Sequence, residues 1–247
     1  MLFLTGDCHG DFHRFSTKAF PIQKKLTKQD IVVILGDGGL LWDGGKQDNW
    51  WMDWLDAKPF TTVNIGGNHE AYDLLEQYPH IRWHGGKAYQ LRPSVLHLCR
   101  GQVFDLNGRS TFVLGGAQSH DMQVILPPGP DLSRRRRRME RLEIPYRVYG
   151  QSWWPQELPS PAELFTAWNT LQQERWSVDL ILTHCAPSTL QRRFAPEYPT
   201  NALTDFLQLI LSRTSYDHWF CGHYHRSEAV PEQDFRILNE EIILLDE

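Results

Sequence analysis

The sequence has few cysteines, no long apolar run and no excess of positive charge. Its 247 residues contain four cysteines, none in a C-x-x-C spacing, so neither a zinc ribbon nor a disulfide scaffold is indicated. Its longest apolar runs, such as Ile31 to Leu35, are too short to cross a bilayer, and we expect no membrane association. Strand-like residues begin at Leu2, so we expect no signal peptide, and reduced thiols then fit a cytoplasmic protein.

The charge balance limits the classes of partner. The formal net charge is −5, which argues against a general nucleic-acid-binding surface but says little about one local groove. One segment departs from this balance, because five consecutive arginines, Arg134 to Arg138, lie in the irregular stretch 122–150. Such a run is typical of a solvated surface, and the alternative is a mobile basic lid over an anionic substrate.

A repeated event at strand ends organises the rest of the chain. The apolar residues Leu2 to Thr5 lead into Gly6, and then Asp7 and His9 follow two positions apart. Since side chains alternate along a strand, this spacing points both groups to the same side. The same break from an apolar strand into glycine, carboxylate, amide or imidazole recurs four times. The residues at these strand ends are Asp7, His9, Asp37, Asn68, His69, His184, His223 and His225.

These strand-end residues predict a metal centre. In an α/β fold the carboxyl ends of strands converge on one crevice, so residues distant in sequence can meet there. Two carboxylates, one amide and four imidazoles exceed what one metal needs, and His69 is still left over. They suit two ions about 3.5–4 Å apart, bridged by one carboxylate. Nitrogen and oxygen ligands without thiolate favour Mn, Fe, Zn or Ni over Mg or Ca.

The pattern of secondary structure predicts a mixed α/β fold. We expect a helix over 12–20 with Asp11 as its N-cap, and a second, Trp-rich helix over 47–56. Asn107-Gly108 between alternating strands predicts a β-hairpin, which adds antiparallel strands to the β-α units before it. Ser160 and Glu163 form a capping box at the start of a later helix.

Taken together, five motifs resemble the calcineurin-like metallophosphoesterase superfamily. They are G-D-x-H-G, G-D-x-G, G-N-H-E, T-H-x-x-P and G-H-x-H, in this order between residues 6 and 225. The resemblance implies a four-layer α/β fold, in which two mixed β-sheets pack as a sandwich and are flanked by helices. We therefore expect one domain over 1–247, with an insert or lid at about 122–150. Further likeness, at Gly115 to Ala117 with Ser119 and Asp121 and at Ser152 to Pro155, is to a bacterial and phage subgroup of the superfamily.

The resemblance also implies residue roles. Asp7, His9 and His225 would hold a first metal ion, and Asn68, His184 and His223 a second, with Asp37 bridging the two. His69 would be the general acid that protonates the leaving oxygen, and a metal-bridging hydroxide would be the nucleophile. The implied activity is hydrolysis of a phosphoester, either a phosphodiester or a small phosphomonoester, with two divalent or trivalent ions. Manganese is the first expectation, and iron, zinc or nickel are alternatives.

One departure from the family pattern leaves the phosphate-binding group open. Protein Ser/Thr phosphatases of the superfamily carry Asp-Arg shortly after the second motif, where this chain has Gly38 to Trp42. Arg100 and Arg226 are the sequence candidates, together with the arginines of the insert, and His120 and Asp121 are undecided. The alternatives to the main interpretation are a protein Ser/Thr phosphatase and a catalytically silent metal-binding scaffold. The physiological substrate and the oligomeric state stay open.

Overall fold

The computed structural model describes residues 1–245, which contain fifteen strands, six α-helices and several short 3₁₀ turns. The helices are α1 (Lys46–Asp56), α2 (Tyr72–Leu75), α3 (Leu132–Arg141), α4 (Pro161–Gln173), α5 (Ser188–Phe194) and α6 (Ala202–Arg213). The strands are β1 (Leu2–Thr5), β2 (Ile31–Ile34), β3 (Thr61–Asn64), β4 (His80–Trp83), β5 (Gly86–Arg92), β6 (Val95–Leu98), β7 (Gln102–Leu106), β8 (Arg109–Leu114), β9 (Val124–Leu126), β10 (Tyr146–Val148), β11 (Leu180–Thr183), β12 (His218–Cys221), β13 (Glu228–Val230), β14 (Phe235–Ile237) and β15 (Ile242–Leu245).

The strands form two large mixed sheets and one small one. The first sheet has the order β15-β1-β2-β3-β6-β5-β4, with β1, β2, β3 and β6 mutually parallel. The second has the order β13-β14-β12-β11-β8-β7, with β14, β12, β11 and β8 parallel. Strands β9 and β10 form a separate two-stranded parallel sheet. Five of the parallel strands, β1, β2, β3, β6 and β11, are short and buried throughout, as the continuous β-branched run of β2 predicts.

Three apolar clusters hold the layers together, one at each interface. Leu4 and Val33 of the first sheet meet Val113 and Leu182 of the second in the cluster between the sheets. A second cluster packs the outer face of the first sheet on α1. The third packs the outer face of the second sheet on α4, α5 and α6. Three interfaces between helix, sheet, sheet and helix make four layers, which confirms the predicted sandwich.

Local sequence signals explain several element boundaries. The capping box at α4 is present, since Ser160 accepts a hydrogen bond from the Glu163 N–H and the Glu163 carboxylate accepts one from the Ser160 N–H. The hairpin of β7 and β8 turns at Asn107 and Gly108, both with positive φ. The Trp-rich helix spans α1, one residue longer than expected at its start.

Two regions differ from the sequence expectation. No α-helix covers 12–20, where the chain makes a 3₁₀ turn over His13–Phe15 and then extends at Ser16. The reason is tertiary, because Phe12, Phe15 and Phe20 are each buried in the aromatic cluster around Phe60. The second region is the irregular stretch 122–150, which folds into β9, α3 and β10. Whether this insert moves as a lid stays a prediction.

Within residues 1–245, no helix combines the length and the hydropathy that a membrane span requires.

Candidate metal centre

The metal centre lies where the carboxyl ends of parallel strands from both large sheets meet. Strand β1 leads to Asp7 and His9, β2 to Asp37, and β3 to Asn68. From the second sheet, β11 leads to His184 and β12 to His223 and His225. The structure thus brings together all seven residues that the sequence motifs single out as metal ligands.

A first group of ligands consists of Asp7, His9 and His225, with one ligand atom from each lying within 4.8 Å of the others. The Nε2 atoms of His9 and His225 are 3.1 Å apart. Asp7 Oδ2 lies 3.7 Å from His9 Nε2 and 3.3 Å from His225 Nε2. Three donors that face one point at these distances suit a single metal ion.

A second group contains Asp7, Asp37 and His184, again within 4.8 Å. His184 Nε2 is 3.4 Å from Asp37 Oδ2, and the His184 and His223 rings lie 5.0 Å apart. Asp37, Asn68 and His223 also line a common pocket with His225, so the two groups share one cavity. Asp7 therefore borders both groups, whereas the sequence motifs assign the bridging position to Asp37 alone.

Four buried atoms of this set lack a hydrogen-bond partner in the part of the chain that the structure describes. They are Asp7 Oδ2, Asn68 Oδ1, His184 Nε2 and His223 Nε2. An unpartnered buried polar atom is costly, so four within one cluster of side chains favour a bound group that accepts lone pairs from both oxygen and nitrogen. A metal ion satisfies this requirement, and the residues present therefore fit the two-metal centre of the sequence prediction.

The backbone at the ligands is held in a conformation that most residues avoid. His9, Asp37, His223 and His225 all have φ between 47° and 70°. Such left-handed φ angles are uncommon for residues other than glycine and cluster at functional sites. The neighbouring glycines allow the loops to approach closely, since a Cβ at Gly67 would lie 2.0 Å from Asp37 Oδ1.

Two contacts between loops fix the carboxylates. The His69 N–H donates to Asp37 Oδ1 at 2.8 Å, and the His223 N–H donates to Asp7 Oδ1 at 2.9 Å. Each carboxylate is thus held by the backbone of a different ligand loop, with its second oxygen left toward the cavity. His184 is held in the same way, because its Nδ1 lies 2.7 Å from the Leu35 carbonyl oxygen and its Nε2 faces Asp37.

The protonation states follow from burial and charge. Burial opposes the charge on Asp37, but His184 and His69 outweigh it and hold the pKa of that carboxyl well below its usual range. Burial likewise opposes the charge on His184, whereas Asp37 raises the pKa of His184 to about 9. Burial lowers the pKa of His223 well below its usual value. A negative Asp37 and a neutral His223 are the forms in which these residues bind metal.

The three cysteines beside the ligands are not part of this set. Burial raises the pKa of Cys8 and of Cys185 to about 12, and it raises that of Cys221 well above its usual value. They stay neutral thiols, and neither group of ligand atoms includes a sulfur. The centre therefore has only nitrogen and oxygen donors, as the sequence predicts.

His69 lies at the edge of the ligand set, next to a residue that the motifs do not indicate. Its Nε2 is 4.0 Å from Asp37 Oδ2 and 3.5 Å from Nη2 of Arg147, which lies in β10 of the insert. Arg147 also forms an ion pair with Asp121, with Nε at 3.2 Å from Oδ1. Burial lowers the pKa of His69, Asp37 raises it, and the Arg147 charge lowers it further. The insert thus contributes a cation beside the predicted general acid.

Asn68 is oriented by a chain of hydrogen bonds. Its Nδ2 donates to Ser119 Oγ at 3.3 Å, and that hydroxyl donates to Glu157 Oε2 at 2.6 Å. Glu157 also accepts from the Ser119 N–H at 3.1 Å, and burial raises the pKa of its carboxyl. Because Nδ2 is committed to Ser119, Oδ1 of Asn68 faces the cavity as a ligand atom.

The two arginines suggested from sequence lie elsewhere. Arg100 is buried, and its guanidinium donates to the Tyr72 hydroxyl at 2.5 Å and to the Gln156 carbonyl at 2.8 Å. It lines a separate pocket with Tyr72 and Glu163. Arg226 is exposed and lies 3.5 Å from Glu228. The structure brings neither guanidinium into the pocket of Asp37 and His69.

The residues that sequence reasoning missed are Arg147, Ser119, Glu157 and Tyr198. Arg147 comes from a stretch without any strand-end signal, and nothing in its neighbours distinguishes it. Ser119 lies in a segment that the family resemblance did include. Tyr198 stacks on His120 with ring centroids 3.9 Å apart. Both residues line the pocket of Asp37 and His69, together with Asp121. The sequence does not assign a role to His120 or Asp121.

A comparison of the sequence with known families agrees with this geometry. The calcineurin-like phosphoesterase family matches residues 2–227, so the chain belongs to that family. None of the curated proteins compared with this sequence matches it. Among solved structures, the fold is similar to that of the phosphopantetheinyl hydrolase PptH from Mycobacterium tuberculosis. That likeness has 14% identity and a TM-score of 0.42, over 96% of this chain and 87% of the other. Membership of the calcineurin-like phosphoesterase family makes the chain a metal-dependent phosphoesterase.

Proposed function

We propose that the protein is a dinuclear-metal phosphohydrolase that cleaves a phosphodiester or a small phosphomonoester. The observation that carries this proposal is the set of four buried, unpartnered ligand atoms from four different strand ends. Two metal ions bound there would supply charge neutralisation and an activated water at neutral pH. Manganese suits the mixed nitrogen and oxygen donors, and iron, zinc and nickel are the alternatives.

The residues divide into metal-holding and proton-transferring roles. Asp7, His9 and His225 would hold one ion, Asn68, His184 and His223 would hold the other, and Asp37 would contribute to both. His69 is placed to give a proton to the leaving oxygen, since its ring faces the same pocket and is 20% exposed. A bound anionic phosphate would raise the pKa of His69, opposing the burial and the Arg147 charge that lower it.

The phosphate-binding role passes from the sequence candidates to Arg147. Its guanidinium is 15% exposed, lies beside His69, and is held in place by Asp121. Arg100 has its donors committed to other partners, and Arg226 faces Glu228 at the surface. In this proposal, Asp121 and Arg147 stand in for the Asp-Arg pair that is absent after the second motif.

Hydrolysis of bis-p-nitrophenyl phosphate and of p-nitrophenyl phosphate, each with Mn²⁺, tests the proposal. Preference for the diester would support a phosphodiesterase, and preference for the monoester would support a phosphatase or nucleotidase. Protein Ser/Thr phosphatase activity remains the second candidate and would appear as release of phosphate from a phosphopeptide. If neither chromogenic substrate turns over with Mn, Fe, Ni or Zn although metal is bound, the silent scaffold is the better interpretation.

A further inference from the structure

The clearest feature that the metal centre does not explain is the surface of α3. Arg134, Arg137, Arg138 and Arg141 recur at i, i+3, i+4 and i+7, so they lie along one face of the helix. All four side chains are exposed, and we call them the arginine stripe. Together with Arg135 they line a shallow depression that contains no other residue type.

The arginine stripe has no acidic partner within the described residues. None of its four guanidinium groups lies within 4.0 Å of a carboxylate, in contrast to Arg92, Arg147 and Arg193. The carboxylates of the helix itself are Asp131, at its N-terminal end, and Glu140, which accepts from the Tyr146 hydroxyl at 2.9 Å. A solvated helix face ordinarily mixes charges of both signs, and this one does not.

The stripe also works against the helix that carries it. Every i, i+3 and i, i+4 neighbour within the stripe is a like-charged pair, and such pairs destabilise a helix. The first turn contains no acidic residue, and the N-cap Asp131 makes no side-chain capping hydrogen bond, so this one carboxylate is all that offsets the cation of Arg134 near the positive end of the dipole. Because the fold does not benefit from this arrangement, a bound polyanion is its natural complement.

The insert joins the stripe to the metal centre. Arg136, on another face of α3, donates to Gln151 Oε1 at 2.6 Å, and the Tyr146–Glu140 contact ties α3 to β10. Strand β10 carries Arg147 to His69. The exposed ring of Tyr149 follows directly, with its centroid 6.0 Å from that of Trp153. Cations and accessible aromatic rings in one segment are the combination that holds unpaired bases and their backbone.

From this arrangement we propose that the arginine stripe binds the phosphodiester backbone of a single-stranded nucleic acid. The proposal narrows the substrate class of the proposed phosphohydrolase and rests on it for any cleavage, although binding stands independently. An anionic membrane surface is the less suitable partner, because a membrane-surface helix exposes a broad apolar face. The apolar residues of α3, Leu132 and Met139, are instead half-buried.

Fluorescence anisotropy of a labelled oligothymidylate of about 20 nucleotides, without metal, tests the binding. With four phosphates neutralised, log K should fall with log salt with a slope of about −3 between about 50 and 200 mM. Replacing the stripe (R134Q, R137Q, R138Q, R141Q) should weaken binding about 10- to 100-fold. The charge-matched control K18Q, K24Q, K25Q and R192Q, at exposed positions outside the insert, should bind like the wild type. Replacing the four arginines by lysine should preserve most of the affinity.

Several outcomes would overturn the inference. These are no salt-dependent binding, an equal loss in the control variant, tighter binding of a blunt duplex, and stripe-dependent binding to phosphatidylserine vesicles instead of the oligonucleotide. Hydrolysis of bis-p-nitrophenyl phosphate by the wild-type protein is measured in parallel. Oligonucleotide binding without that hydrolysis would contradict the proposed function while leaving the stripe as a binding site. Hydrolysis of bis-p-nitrophenyl phosphate without oligonucleotide binding would support the proposed function and contradict the stripe as a binding site.

Discussion

The metal centre and the insert achieve the placement of charged side chains in opposite ways. At the candidate metal centre, seven candidate ligands come from the ends of five strands, and most are buried, with Asp7 and Asp37 held by backbone N–H groups of neighbouring loops. In the insert, six arginines lie on the single helix α3, and most are exposed, with no carboxylate within 4.0 Å among the described residues. The buried set is suited to bind a cation, and the exposed set is available to an anion.

This difference explains why sequence motifs indicated the metal centre, whereas no motif indicated which arginine of the insert lies beside it. A ligand at a strand end needs glycine to turn the chain and a particular donor atom, so its motif is restrictive. An arginine that binds phosphate only needs length and charge, and many backbone positions can supply it. Substitutions can sharpen this contrast, because changes among the buried candidate ligands should affect metal binding and catalysis together.

The largest effect is expected from Asp37→Asn. This change replaces the carboxylate between the two groups of candidate ligands by a neutral amide. We therefore expect loss of bound metal and a fall in kcat on the order of 10³-fold or more. Metal content by elemental analysis and turnover of bis-p-nitrophenyl phosphate measure both. Asp48→Asn is the matched control, since Asp48 is a buried carboxylate that accepts three backbone N–H groups. Full metal content in Asp37→Asn would contradict the bridging role.

His69→Ala should separate proton transfer from metal binding. Loss of a general acid lowers kcat by about 10²- to 10⁴-fold, while the metal ligands remain in place. The alkaline limb of the kcat profile should also disappear with the imidazole. Elemental analysis of the purified variant provides the necessary check. A variant that loses metal would show that His69 is a ligand and not the proton donor.

Arg147→Ala tests whether the insert takes part in catalysis. Removal of a charged hydrogen-bond donor to phosphate should lower kcat/KM by about 10- to 100-fold. The Arg147 charge lowers the pKa of His69, so its removal should move the alkaline limb of the profile to higher pH. Steady-state kinetics of Arg147→Lys and Arg226→Ala serve as comparisons. A larger loss in Arg226→Ala than in Arg147→Ala would return the phosphate-binding role to the sequence candidate.

Ser119→Ala removes the hydrogen-bond partner that orients Asn68, and its effect should fall on metal affinity and reach turnover only through it. Residues behind a metal ligand typically contribute 10- to 100-fold in metal affinity, and we expect a change of about that size. Isothermal titration calorimetry with Mn²⁺ measures this metal affinity. Ser188→Ala is a suitable control, because Ser188 is equally buried and donates to Asp205 at 2.5 Å. Equal affinities in the two variants would mean that Ser119 has only a structural role.

The smallest effect on activity is expected from Glu70→Gln. Burial raises the pKa of Glu70 to about 7 from 4.5, so its contribution to stability is full below pH 4.5 and is lost as the pH rises through 7. Glutamine can still accept the hydrogen bonds from the Gly38 N–H and Asn64 Nδ2. Above pH 7 the metal-free variant should therefore unfold with a free energy on the order of 1–3 kcal/mol higher than the wild type. Urea unfolding at pH 4 and pH 8 checks this, and a gain of equal size at both would refute it.

The fold was largely predictable, and the exceptions have physical causes. The five strands that end at the candidate ligands, the capping box of α4 and the hairpin at Asn107 follow local patterns, and the structure contains them. The expected helix over 12–20 is absent because three phenylalanines pack into one aromatic cluster. The order of strands within each sheet has no local signature, since it depends on contacts between residues far apart in the chain.

The sequence by itself determined the family and the four-layer class and indicated seven candidate ligands, because each depends on residue types at restricted strand ends. Only the tertiary structure decided which cation stands beside His69. Arg100, Arg147 and Arg226 carry the same guanidinium, and sequence cannot rank them. Burial and hydrogen bonding commit Arg100 elsewhere, exposure leaves Arg226 at the surface, and Arg147 on β10, which pairs with β9, lies beside His69.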